Sequence, residues 1–79
     1  MSELEIFAEM TNNQGGEWSK LEDNENYTLY VSKTKYMSQH NYYYNAPVYQ
    51  IFNNDGKRLY VSTDYKSAYG KYQNILERM

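Results

Sequence analysis

The residues of this chain that can do chemistry are mostly aromatic. Eleven tyrosines stand beside two phenylalanines and one tryptophan in 79 residues. A tyrosine offers an apolar ring for packing and a hydroxyl that stays hydrated, so it serves cores and contact surfaces alike. Tyr30, Tyr36, Phe52 and Tyr60 fall with Arg58 on one side of predicted strands, and Tyr42, Tyr43 and Tyr44 follow one another in the segment between them. Aromatic side chains around an arginine are the usual anchors of a protein interface. The same groups stack unpaired bases and hold phosphates of single-stranded nucleic acid. These eight residues form the expected partner-binding set.

Catalysis and metal binding are poorly supplied by comparison. His40 is the single histidine. It follows Ser38 by two residues, and no carboxylate lies beside it in sequence to orient its ring as a general base. The absence of cysteine excludes disulfides and thiolate metal sites together and points to a reducing compartment, most simply the cytoplasm. The acidic run Glu22, Asp23, Glu25 lacks the turn glycine and closing glutamate of a calcium loop. Gly15-Gly16 lacks the lysine and following helix of a phosphate loop. The expectation is a binding protein without catalytic, cofactor or metal residues, and not an enzyme. MSELEIFAEM carries neither the basic nor the apolar region of an export signal. No apolar run approaches the roughly 20 residues that cross a bilayer, so no membrane partner is expected.

Charge is uneven along the chain. Residues 1–26 hold Glu3, Glu5, Glu9, Glu17, Glu22, Asp23 and Glu25 against Lys20, a net −6, and residues 27–79 carry a net +4. The overall charge is −2. Nucleic-acid-binding domains are usually clearly basic, because cation–phosphate contacts supply much of their affinity. A protein partner is therefore the first reading and nucleic acid the second.

Seventy-nine residues make one small domain. From Asp64 onward, Tyr65, Ala68, Tyr69, Tyr72, Ile75, Leu76 and Met79 recur at the spacing of one helix face. Thr63 or Asp64 can cap this helix, and Gly70 is expected to let its backbone approach a sheet. Upstream, Asn53-Asn54-Asp55-Gly56 is a turn between two β-prone runs, Val48–Phe52 and Lys57–Ser62. Asp55-Gly56 fits a type I′ turn, or a type I turn with Gly56 as a left-handed bulge. The second pairs Asn53 with Lys57, Ile51 with Leu59 and Tyr49 with Val61, and so places Tyr49, Ile51, Leu59 and Val61 on the face the helix covers. Phe52, Arg58 and Tyr60 then lie on the open face. Tyr27–Tyr36 alternates as a strand, adding Leu29 and Val31 to the covered side. Met37–Pro47 reads as a long loop. Leu4, Ile6, Ala8 and Met10 alternate as a strand, although Ser2 with Glu5 fits the capping box of a short helix. Asn12–Gly16 is a loop, and Glu17–Leu21 starts another strand. The expected fold is α+β, a three- to four-stranded antiparallel sheet with one C-terminal amphipathic helix packed on one face.

Two resemblances add to this reading. VYQIFNNDGKRLYVSTDYKSAYGKYQNIL, residues 48–76, resembles the AP2-like N-terminal modules of phage and transposon integrases: a strand, an Asp-Gly turn, a second strand, then a helix carrying an alanine, here Ala68. Those modules read DNA with the sheet, which is what the resemblance implies for the strands within residues 48–76; on the aromatic face the nucleic-acid reading uses Tyr30, Phe52, Arg58 and Tyr60. The short, acidic, cysteine-free, Asn- and Tyr-rich chain is also similar in style to small phage accessory proteins, anti-CRISPR proteins among them. That likeness implies a phage or mobile-element protein working in the host cytoplasm, which binds and inhibits or modulates a host protein such as a defence or nucleic-acid-processing complex. Glu17, Glu22, Asp23 and Glu25 would then imitate phosphate charges. A homodimer is the other way of covering an aromatic face of this size.

Overall fold

The computed structural model describes residues 2–37, 42–44 and 46–78, with side chains for residues 2–34 and 46–78. Along the chain come α1 (Glu3–Asn13), β1 (Glu17–Asp23), β2 (Tyr27–Lys33), β3 (Lys35–Met37), β4 (Tyr42–Tyr44), β5 (Val48–Asn53), β6 (Arg58–Ser62) and α2 (Tyr65–Glu77). Four strands form an open antiparallel sheet in the order β1-β2-β5-β6, and β3 pairs with β4 in a separate hairpin. The expected sheet and C-terminal helix are present, and a second helix joins them.

α2 forms for the reasons its spacing gives. The Asp64 carboxylate accepts hydrogen bonds from the Ser67 backbone N–H at 3.0 Å and the Ser67 hydroxyl at 2.7 Å, satisfying the first turn. Its inner face buries Ala68 and Tyr72 against Leu29 and Ile51, with Tyr27, Tyr49, Tyr60, Tyr69, Ile75 and Leu76 packed around them. The Tyr72 hydroxyl donates to the Tyr27 carbonyl at 3.0 Å, which pins the helix to β2. Gly70 does not serve the close approach expected of it. It faces open space, and a Cβ placed there would meet nothing within 4 Å.

The β5–β6 hairpin begins as expected and then departs. Gly56 takes the left-handed region with φ of 81°, its N–H donates to the Asn53 carbonyl, and the Asn53 N–H donates to the Lys57 carbonyl. Phe52 pairs with Arg58, but Ile51 pairs with Tyr60 and Tyr49 with Ser62. Leu59 is an inserted residue, and a one-residue slip exchanges every side chain beyond it between faces. Tyr60 therefore turns under α2, while Leu59 and Val61 remain exposed. The expected Ile51–Leu59 and Tyr49–Val61 pairs do not form.

The N-terminal segment is helical over eleven residues, with the Ser2 side chain accepting from the Glu5 N–H. Phe7 breaks the strand-like alternation. Leu4, Phe7, Ala8 and Thr11 instead make one helix face, and all four are buried or half-buried. The helix ends as Gly15 takes φ of 73° and the Gly16 N–H bonds the Thr11 carbonyl at 2.9 Å. Gly16 lies so close to β2 that a Cβ would collide with the Lys33 carbonyl. Asn12–Gly16 is thus a helix end and a tight turn rather than a loop. Within Met37–Pro47, Tyr42–Tyr44 forms a strand on β3, with Tyr36 opposite Tyr43.

Candidate functional site

α1 covers the sheet face that the sequence leaves open. Phe52 is fully buried and Phe7 is half-buried beside it, their ring centroids 6.3 Å apart. Tyr30 meets the Phe52 ring edge-on at 5.7 Å, and Trp18 of β1 approaches both, at 5.2 and 6.1 Å. The Arg58 guanidinium sits 4.5 Å above the Phe7 ring, and its backbone N–H donates to the Glu3 carboxylate at 2.7 Å. The Leu4 N–H donates to the Gly56 carbonyl at 2.9 Å. Behind this cluster Gln50 and Ser32 are buried, joined by a 3.3 Å hydrogen bond.

Tyr30, Phe52 and Arg58 are therefore brought together, but Phe52 and the half-buried Tyr30 form a second small core with Phe7 and Trp18, and Arg58, itself exposed, lies over it. Phe52 has no surface to offer a partner. Tyr60 is on the opposite face under α2, so the expected Phe52–Arg58–Tyr60 contact surface is not formed; the insertion of Leu59 and the presence of α1 are the two causes. Tyr36, Tyr42, Tyr43 and Tyr44 lie in the β3–β4 hairpin with side chains outside the described residues, as does all of His40. Missed in the sequence was Trp18, which the β1–β2 register, Trp18 opposite Ser32, places on the Phe52 side.

The acidic residues stand differently. Glu17, Glu22, Asp23 and Glu25 are all exposed, three of them on β1, a strand at the edge of the sheet, and Glu25 in the turn that follows. Glu17 pairs with Lys33 and Glu22 with Leu29 in the β1–β2 register, whereas Asp23 pairs with Thr28, so the charges line both sides of the edge. Glu17 to Asp23 spans about 20 Å of strand. Lys20 is the one cation of residues 17–25, and its ammonium is held 3.3 Å from the Asp23 carboxylate. The Thr28 hydroxyl, first, and then Lys20 hold the Asp23 carboxyl below its ordinary range, so it stays ionised. Glu5 and Glu9 of α1 are exposed as well.

A hollow of about 310 Å³ opens where α1 begins, between Leu4, Glu5, Thr28, Tyr30 and the Asn53–Gly56 turn. Among the described residues no three His, Asp or Glu side chains gather to hold a metal ion. No described helix is long and apolar enough to cross a membrane. No family model, curated protein or solved structure matches the chain.

Proposed function

We propose that this chain is a non-enzymatic binding protein that docks through its acidic β1 edge on the basic, nucleic-acid-handling surface of a protein partner, and inhibits or modulates it. The observation that carries this reading is the exposed set of Glu17, Glu22 and Asp23 on an edge strand, with Glu25 in the turn after it, where the strand's lone cation is already bonded to Asp23. Such an edge offers fixed negative charges without the cost of burying them first, and charge of one sign steers encounter with a surface of the other. The aromatic cluster supports the reading by subtraction. With Phe52 buried and Arg58 lying over Phe7, the stacking platform that single-stranded nucleic acid needs on this face is occupied by the protein itself.

Affinity capture from a bacterial lysate tests it. The expected result is one stoichiometric nucleic-acid-binding protein, released by duplex DNA added as competitor and by raised salt. Capture of a partner that neither DNA nor salt displaces would contradict it.

A nucleic-acid reading keeps one observation of its own. Tyr65, half exposed, stacks on Tyr69 at 5.9 Å and meets Tyr49 edge-on at 5.4 Å, beside the exposed Lys66. Salt-sensitive binding of a labelled single-stranded oligonucleotide, lost in Tyr65→Ala, would favour it.

A further inference from the structure

The two edges of the sheet differ in charge. β1 is guarded by charge, at Glu17, Lys20, Glu22 and Asp23, whereas a bulge is common to both edges, at Leu21 in β1 and at Leu59 in β6. Charge along an edge is a device that stops it from pairing with another chain. β6, at the other edge, carries Leu59 and Val61 with 41% and 47% of their surface exposed. Its arginine, itself exposed, lies over the Phe7 ring of α1, and its first N–H is taken by Glu3. Beyond that N–H, Leu59 to Ser62 bears no charge at all.

We infer that β6 pairs with β6 of a second copy of this chain, antiparallel about a two-fold axis, to give a continuous eight-stranded sheet. Charge and register identify the occupant. Residues 57–64 hold Lys57 and Arg58 at one end and Asp64 at the other, a net +1. A two-fold pairing centred on Tyr60 or Val61 brings the Lys57–Arg58 end of each copy to the Asp64 end of the other. Centred on Tyr60 it places Leu59 opposite Val61 twice; centred on Val61 it places the two valines together. Apolar cross-strand pairs and opposed charges are what stabilise such a ladder. The same operation on β1 fails, because residues 17–25 carry a net −3 and would face −3. A closed two-fold contact also leaves no β6 edge free for further growth. In the dimer the two acidic β1 edges lie at the outer ends, about 34 Å apart across seven strand spacings. The inference stands independently of what those edges bind.

Light scattering with size exclusion on the full chain, at tens of micromolar, tests the pairing. The expected mass is twice 9.5 kDa. Val61→Lys and Leu59→Lys each place a new cation at the contact twice, and each is expected to weaken dimerisation at least tenfold while circular dichroism stays unchanged. Either variant suffices if the other misfolds. Leu21→Lys, on the exposed bulge of β1, is expected to leave the dimer intact. A wild-type mass of 9.5 kDa at that concentration would overturn the inference. So would dimers that survive both β6 substitutions, loss of the dimer in Leu21→Lys, or assemblies that grow past two copies with concentration, the mark of β1-to-β6 pairing.

Discussion

Replacing Phe52 decides whether its face is core or contact surface. The ring is fully buried and meets Phe7, Trp18 and Tyr30 at 5.7–6.3 Å. Truncating a buried phenylalanine costs about 3–5 kcal/mol, and each aromatic pair adds about 0.5–1.5 kcal/mol beyond the area it buries, which favours the upper end for Phe52→Ala. A chain of this length has a total stability of about 4–12 kcal/mol. With a urea slope of about 1 kcal/mol/M, Phe52→Ala is expected to lower the midpoint by about 3–5 M, which for a wild type near the lower end of that range unfolds a large share of the molecules without denaturant. Phe52→Leu keeps part of the volume and is expected to cost about 1–2 kcal/mol, with a measurable transition. Leu21→Ala is the control: Leu21 is 40% exposed on the β1 bulge, and its change should stay within about 0.5 kcal/mol. The assay is equilibrium urea unfolding followed by tryptophan fluorescence, since Trp18 lies 6.1 Å from Phe52 and reports the same cluster. A Phe52→Ala midpoint equal to that of the wild type would refute the argument and return Phe52 to the surface.

Three further outcomes follow from the same geometry. Gly70→Ala should raise stability by about 1 kcal/mol in thermal unfolding, because the site is open, its φ is not positive, and only the helix penalty of glycine is removed. Gly56→Ala should cost at least about 1–2 kcal/mol, as φ is 81° and the new Cβ would lie 2.5 Å from the Ser2 Cβ; unfolding midpoints measure it. The Ser67 hydroxyl, first, and the Ser67 N–H hold the Asp64 carboxyl below its ordinary range. A depressed carboxylate stabilises the fold fully above its unfolded pKa of about 3.9 and loses that effect as pH falls through the folded value. Acid titration by circular dichroism should therefore show less helix loss below about pH 4 in Asp64→Asn than in the wild type.

Local signals carried much of the fold into the sequence. The α2 face was legible because Tyr65, Ala68, Tyr72, Ile75 and Leu76 keep a single period, and the Asp55-Gly56 turn because only a left-handed glycine closes it. The register beyond the turn was not, since a bulge at Leu59 has no composition of its own: Leu, Tyr and Val suit either face. α1 was ambiguous because Leu4, Ile6, Ala8 and Met10 alternate by coincidence, and only Phe7 and the Ser2 cap argue for a helix. That one ambiguity moved the candidate site. A strand would have left Phe52 and Arg58 facing water, whereas the helix sets Phe7 between them. The acidic edge was legible as charge, but its placement on a free strand came only with the strand order.

The functional claim is tested most directly by charge reversal on that edge. Glu17→Lys, Glu22→Lys and Glu25→Lys combined change exposed side chains and leave the Asp23–Thr28 hydrogen bond in place. With the captured partner purified, calorimetric titration at two salt concentrations compares this variant with the wild type. The account predicts wild-type binding that weakens with salt, and a triple variant that is folded but binds at least a hundredfold more weakly. Equal affinity of the two chains, with no dependence on salt, would contradict it.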